Sequence, residues 1–135
     1  MAFERHELEK YRAGWMERES EEVRANTRLR EKALSEVIKI SQILTARYRV
    51  EKIILFGSLL DEDRFSAASD IDIAVEGLEK SVYFTALGEL LMESSFEIDL
   101  VPVEDASPLL LQRLKNGKVI YEKGKNPRAQ SGNQQ

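Results

Sequence analysis

Acidic residues in two short segments have the type and spacing that phosphoryl chemistry requires. Asp70 and Asp72 are two positions apart in a segment where Ile71 and Ile73 occupy the alternate positions. This alternation predicts a half-buried strand, with both carboxylates on one face and the aliphatic side chains on the other. Asp99 stands between two aliphatic residues in a later segment of the same kind. If the two strands are neighbours, we expect three carboxylates on one face of a sheet.

Three neighbouring carboxylates repel one another and stay ionised together only when cations neutralise them. Oxygen ligands suit Mg²⁺, which keeps part of its water shell and is commonly bound by carboxylates together with substrate phosphates. Two such ions can hold an attacking oxygen and a leaving oxygen in line. The sequence therefore predicts a site for two Mg²⁺ ions formed by Asp70, Asp72 and Asp99.

A second motif, Gly57-Ser58, closes an apolar, β-branched segment over residues 50–56. A glycine at the end of a strand lets backbone N–H groups approach a phosphate closely. A helix that starts there favours an anion, and the serine hydroxyl is a further donor. A phosphate site one loop away from the paired acids indicates phosphoryl or nucleotidyl transfer from a nucleoside triphosphate.

Composition excludes several other kinds of site. The chain has 135 residues, a formal net charge of −4, no cysteine and one histidine. Cysteine-ligated metals and disulfide scaffolds are therefore excluded. A Ser-His-Asp triad is difficult to build from the single His6 in its charged segment, and general binding to nucleic-acid backbone is not expected. No apolar run is long enough for a membrane span and the N-terminus does not resemble a signal peptide, so we expect a cytoplasmic protein without membrane contact.

Hydrophobic periodicity and turn residues predict an α/β (α+β) domain with a small mixed sheet and flanking helices. We divide the chain into an N-terminal helical extension (1–28), a catalytic domain (29–123) and a disordered tail (124–135). The predicted elements are a helical region over 3–48, strands at 50–56, 70–75 and 96–101, helices at 81–93 and 107–115, and an edge strand at 119–121.

The helical region has two parts. Apolar residues at helical spacing predict a core face in its second half, whereas residues 18–30 are almost wholly polar. This pattern fits two helical pieces or one long helix with a weakly buried middle. Leu8, Tyr11 and Trp15 form a separate stripe that could dock on the domain, on a partner or on a second copy. The predicted core positions are Ala33, Val37, Ile40 and Leu44, with Leu87, Leu90 and Leu91 in the later helix.

The motifs together resemble the polymerase-β-type nucleotidyltransferases, and most closely the minimal nucleotidyltransferases. The resemblance rests on the segments 55–58, 69–75 and 97–101 and covers residues from about 29 to 121. It implies that Gly57 and Ser58 bind the β- and γ-phosphates of ATP. It also implies that Asp70, Asp72 and Asp99 bind two Mg²⁺ ions, and that Asp99 helps to activate the acceptor hydroxyl.

Many members of this family are antitoxins encoded beside a HEPN-type ribonuclease toxin. They silence the toxin by transferring AMP from ATP to a toxin tyrosine. The resemblance implies the same role here, with a HEPN-type toxin as partner. The apolar stripe of the N-terminal helix separately leaves a homo-oligomer open.

The chain departs from the family after Ser58. Relatives often carry Arg-Gly a few residues later, where this chain has Asp61-Glu62-Asp63, followed by Arg64. We interpret the acidic run as a solvated loop. Because the Arg-Gly pair is missing, one alternative function is a weak or inactive module that inhibits a toxin by binding alone. A transferase for a small acceptor such as an aminoglycoside is a less favoured alternative. Such enzymes usually hold the acceptor with a second domain, for which this chain has no room unless a dimer supplies it.

Overall fold

The computed structural model describes the backbone of residues 5–124 and the side chains of residues 20–124. The predicted stripe of Leu8, Tyr11 and Trp15, and the predicted tail beyond residue 124, lie outside the described side chains and backbone, respectively. Among the described helices, none combines the length and apolarity that a bilayer span needs.

One long helix precedes a four-stranded sheet with two further helices. The elements are α1 (Arg5–Tyr48), β1 (Lys52–Phe56), β2 (Ile71–Glu76), α2 (Tyr83–Glu93), β3 (Ile98–Pro102), α3 (Pro108–Lys115) and β4 (Lys118–Glu122). Short 3₁₀ turns cover Gly57–Leu60, Lys80–Val82 and Val103–Asp105. Helix α1 is continuous, so the two-piece interpretation of the N-terminal half is wrong and the single-helix one is correct. The domain boundary at residue 28 falls inside this helix and stays a prediction.

The strand order is β3-β2-β1-β4, so the predicted edge strand is present. Strand β1 pairs antiparallel with β2 and with β4, whereas β2 and β3 run parallel. The sheet is mixed, as the sequence predicts. A parallel pair requires a crossover connection, and α2 supplies it.

Helices α1 and α2 cover one face of the sheet. The buried residues Ala33, Val37, Ile40 and Leu44 of α1 pack there, as predicted from their spacing. Leu90 of α2 joins the same core. The aliphatic residues of the acid-bearing strands face this side, namely Ile71, Ile73 and Val75 of β2 and Ile98 and Leu100 of β3.

Leu91 is a correction to the predicted core. Its side chain is 38% exposed, whereas Leu87 is partly buried and Leu90 is fully buried. Helix α2 is amphipathic, and residue 91 lies about 100° around the helix from residue 90, at the margin of the buried stripe.

Helix α3 covers part of the other face. Leu114 of α3 packs on Ile54, Phe56 and Ala74 in a smaller apolar cluster. Ser107 caps the helix, because its hydroxyl accepts a hydrogen bond from the Leu110 N–H at 3.1 Å. The acidic residues of β2 and β3 share this face of the sheet, beyond the apolar cluster.

Candidate active site

The carboxylates are brought together by strand pairing. Asp72 and Asp99 are register partners in the parallel pair of β2 and β3. Asp70 directly precedes β2, and strand alternation puts it on the face of Asp72. The structure therefore places the three predicted acids at one end of one face, with Ile71 and Ile98 turned into the opposite core.

Burial divides the three acids. Asp72 is half-buried in the middle of the sheet, whereas Asp70 and Asp99 are exposed. Burial raises the pKa of Asp72 from 3.8 to about 6, and the charge of Asp99 adds to the rise. Arg113 opposes the rise and Asp70 adds to it. A carboxylate whose pKa is raised by burial and by other carboxylates has a strong electrostatic need for a cation.

No group of three or more His, Cys, Asp or Glu side chains in the described part of the chain is arranged so that it could hold a metal ion. The donor set nevertheless suits Mg²⁺ in its chemistry, since all three side chains offer carboxylate oxygens. Mg²⁺ is commonly held by one or two carboxylates together with substrate phosphates. The paired Asp72 and Asp99 supply such carboxylates, and the phosphates would complete the set.

Gly57 follows β1 at the same end of the sheet. Its φ is +82°, which an L side chain rarely adopts. A Cβ on Gly57 would also lie 2.0 Å from the Oδ2 atom of Asp72. Glycine is thus required twice, for its backbone conformation and for the space that the Asp72 carboxylate occupies. This second requirement joins the two predicted motifs in one site.

The turn that carries Ser58 is short. Residues Gly57–Leu60 form a single 3₁₀ turn, and no α-helix starts there as the phosphate-site prediction assumed. Leu59 is fully buried, and its carbonyl accepts a hydrogen bond from the Arg30 Nε–H of α1 at 2.9 Å. The buried Leu59 side chain and the hydrogen bond from Arg30 together hold the turn in place. Ser58, which is half-buried, follows Gly57 in this turn.

The acidic run after the turn is a solvated loop, as predicted. Asp61, Glu62 and Asp63 are all exposed. The Asp61 Oδ1 atom accepts a hydrogen bond from the Asp63 N–H at 2.9 Å, which is the geometry of an Asx turn. Phe65, which is buried against Phe96, fixes the end of the loop.

Sequence reasoning missed two arginines near the site. Arg30 supports the Gly57–Leu60 turn from α1. The Arg113 guanidinium lies over the ring of Phe56, 5.2 Å from the ring centroid, and is close enough to Asp72 to influence its pKa. Neither has a motif at fixed spacing, because each reaches the site through tertiary packing. Only the position of Arg113 on the predicted last helix offered a signal.

Several solved structures with a similar fold are toxin–antitoxin complexes. A mutant of the MntA–HpeT complex has a TM-score of 0.52 at 28% identity, covering 64% of this chain and 72% of that chain. A toxin–antitoxin complex with AMP-PNP gives 0.53 at 26% identity, covering 67% and 73%. The fold also matches the complex of a tri-AMPylated Shewanella oneidensis HEPN toxin with its MNT antitoxin, at a TM-score of 0.50 and 24% identity, covering 74% and 77%.

A comparison with curated protein sequences gives no significant match. The family model described as polymerase beta, nucleotidyltransferase, matches residues 38–126, which is more than half of the chain. That range contains both motifs and the complete sheet. The chain therefore belongs to the polymerase-β nucleotidyltransferase family.

Proposed function

We propose that this protein transfers AMP from ATP, with Mg²⁺, to a hydroxyl group of a HEPN-type toxin and thereby acts as an antitoxin. The observation that carries the proposal is the contact of the two motifs. The Asp72 carboxylate fills the space beside Gly57, so a phosphate bound at the turn would lie next to the carboxylates. The toxin–antitoxin complex with AMP-PNP, at 26% identity, supports both the nucleotide and the kind of partner.

The acids have different tasks in this proposal. Asp70 and Asp72 would hold the Mg²⁺ ions, together with Asp99 from the neighbouring strand. The ions, when bound, neutralise the charge that develops on the phosphates during transfer. Asp99 is exposed on an edge strand, where a large acceptor can reach it. The Gly57-Ser58 turn would bind the β- and γ-phosphates through its N–H groups and the serine hydroxyl.

The transfer exchanges one phosphorus–oxygen bond for another. The acceptor hydroxyl oxygen attacks the α-phosphorus while its proton passes to Asp99. The bond from the α-phosphorus to the oxygen that bridges to the β-phosphorus breaks. Pyrophosphate leaves with that oxygen and is held at the Gly57-Ser58 turn. The product is an AMP ester of the acceptor hydroxyl.

The test uses ATP labelled at the α-phosphate, Mg²⁺, the full chain and the protein encoded by the neighbouring gene, which we expect to be a HEPN-type toxin. We expect label on the toxin with the unaltered protein and none with Asp70→Asn/Asp72→Asn. Asp105→Asn, on the 3₁₀ turn after β3, is a matched control that should leave transfer intact. Absence of transfer, or transfer undiminished by the double substitution, would overturn the proposal.

Inhibition by binding alone is a second candidate, favoured by an apolar groove on the opposite face of the sheet. The groove lies between α1 and β4, has a volume of about 580 Å³, and exposes 62% of Ile38. A toxin is the occupant that the similar toxin–antitoxin structures suggest. Neutralisation that survives Asp70→Asn/Asp72→Asn but is lost in Ile38→Glu would favour this candidate over transfer.

A further inference from the structure

The loop that follows the phosphate turn carries more negative than positive charge. Three exposed acids, Asp61, Glu62 and Asp63, come directly after the Gly57–Leu60 turn. Arg64 is exposed in the same loop beside them. A triphosphate bound at the turn therefore needs positive charge from another element. Among the described residues, Arg113 of α3 is a cation that acts on the Asp72 carboxylate.

Arg113 lies close to both the carboxylates and the Gly57–Leu60 turn. Its Cζ atom is 5.2 Å from the centroid of the Phe56 ring. Phe56 is only 2% exposed, is the register partner of Asp72, and directly precedes Gly57. A guanidinium above this ring is therefore close to the carboxylates and to the residue that opens the phosphate turn.

The backbone that carries Arg113 is fixed at both ends of α3. Ser107 caps the first turn, and the buried Leu114 anchors the last turn on the sheet. Gly117 follows in contact with β1, since a Cβ there would lie 2.8 Å from Ile54 Cγ2 and 2.9 Å from the Leu55 carbonyl oxygen. These contacts hold the helix end at a set distance from β1, and the Phe56 ring supports the guanidinium by a cation–π contact.

The guanidinium retains its capacity for an anion. Within residues 20–124, no carboxylate forms an ion pair with Arg113 at 4.0 Å or less. The charge of Arg113 acts on Asp72 and opposes the rise of its pKa, to which Asp99 and Asp70 contribute. A guanidinium over an aromatic ring keeps N–H donors for a phosphate, which it can bind through two hydrogen bonds.

We infer that Arg113 binds the phosphates of the nucleotide and supplies positive charge that the net-negative loop after Ser58 does not. This inference rests on the proposed function, since it assigns a contact to the same substrate. Arg113 reaches the site from the helix that packs across the acid-bearing face, whereas Ser58 reaches it from the end of β1. The phosphates would lie between them.

The test measures AMP-PNP binding to the full chain by calorimetry with Mg²⁺ and without toxin. Arg113→Met removes the charge and keeps an aliphatic stem over Phe56. We expect it to weaken binding by about 10- to 100-fold, the usual effect of losing a charge-assisted hydrogen bond. Arg113→Lys keeps the charge but not the planar fork, so an intermediate loss is expected.

Two controls separate this contact from general charge loss. Lys115→Met removes an equal charge from an exposed position of the same helix, and Arg64→Met removes the cation of the acidic loop. Arg113 is also exposed, so the three positions share that property, but Arg113 is held over Phe56 beside the acids. Both controls should therefore bind AMP-PNP within about threefold of the unaltered protein. The thermal midpoint of each variant is recorded, and Arg113→Lys replaces Arg113→Met if the latter does not fold.

The outcomes distinguish a failure of the Arg113 contact from a failure of the proposed function. Unaltered affinity in Arg113→Met and Arg113→Lys, with normal binding by the unaltered protein, would overturn the role of Arg113 alone. So would a loss of affinity in Arg64→Met that matches or exceeds that of the Arg113 variants. If the unaltered protein does not bind AMP-PNP, the proposed function itself fails and the contact fails with it.

Discussion

The carboxylate half and the phosphate half of the site are built in different ways. Asp72 and Asp99 stand on paired strands, and the register of that pair sets their relation. Ser58 stands on a single 3₁₀ turn that is followed by an exposed acidic loop. A strand pair has little freedom once its aliphatic face is buried, whereas a turn depends on whichever side chains support it. The carboxylate half is thus fixed by the fold and the phosphate half by a few contacts from distant elements.

The largest expected effect breaks the carboxylate half. Asp70→Asn/Asp72→Asn keeps the shape of both side chains and removes two negative charges. We expect AMP transfer to fall by about 10³-fold or more, because electrostatic stabilisation is the main contribution in phosphoryl transfer. Transfer rates and circular dichroism of the same preparations would check it. A folded double variant with more than a tenth of the normal rate would contradict this assignment.

Gly57→Ala tests the junction of the two halves. The new Cβ would meet the Asp72 Oδ2 atom at 2.0 Å, and the φ of +82° is strained for alanine. We expect transfer to fall by about 100-fold, since small displacements in an active site have effects of this size. The free energy of unfolding should fall by about 1–3 kcal/mol, the cost of backbone strain at such a position.

Gly124→Ala is the matched control for this prediction. Its φ is also +82°, but a Cβ there has no atom within 4 Å. The backbone strain is shared by the two variants and the collision with Asp72 is not. Chemical denaturation and transfer assays should show a larger loss for Gly57→Ala in both quantities. Equal losses in stability and normal transfer by both variants would show that the contact with Asp72 is unimportant.

Asp72→Asn sharpens the carboxylate half through pH. In the metal-free protein the pKa of Asp72 is raised from 3.8 to about 6, mainly by burial and by Asp99. Between these values the folded protein binds the proton more tightly than the unfolded chain does, so this group's contribution to stability falls as pH rises. Asp72→Asn should therefore be the more stable protein above pH 6. One pKa unit corresponds to about 1.4 kcal/mol, and solvent screening of this half-buried group reduces the expected gain to about 1–2 kcal/mol.

Urea denaturation with a chelator present, at several pH values, would measure this difference. We expect the advantage of Asp72→Asn to shrink as pH falls from about 6 and to vanish below about pH 4. An advantage that does not change with pH would show that the pKa of the Asp72 carboxyl is not raised in the folded protein. The exposed Asp63→Asn serves as the comparison variant.

The smallest expected effect concerns the acidic loop. Glu62→Gln/Asp63→Asn removes two exposed charges and leaves the Asp61 carboxylate that caps the turn. Exposed charges are screened over about 8–10 Å at ordinary ionic strength, so AMP-PNP affinity should rise by no more than about threefold. Calorimetry at low and high salt would check it. A tenfold gain would mean that the loop acids face the phosphates.

Much of the fold followed from the sequence because its patterns are local. The alternation around Asp72 gave a strand and its two faces, and the spacing from Ala33 to Leu44 gave the core face of α1. Continuity of α1 did not follow, since residues 18–30 lack an apolar stripe and fit either interpretation. The prediction of Leu91 as core is wrong, because three apolar residues within five positions do not show where a buried stripe ends.

The site was predicted unevenly for a similar reason. Three acids at strand positions were visible, and the structure brings two of them into register. The collision that keeps residue 57 a glycine depends on a contact between β1 and β2, which no single motif reveals. Arg30 and Arg113 reach the site from helices remote in sequence, so only the packed structure shows them. Metal ligation by the acids stays a prediction.

The central claim is that the carboxylates and the Gly57-Ser58 turn form one nucleotide site. A crystal structure of the full chain with AMP-PNP and Mn²⁺, the latter located by its anomalous scattering, tests it most directly. We expect manganese bound by Asp70, Asp72 and Asp99, with the β- and γ-phosphates over Gly57 and Ser58. Nucleotide bound away from that turn, or manganese absent from the carboxylates in a nucleotide-loaded crystal, would contradict the account.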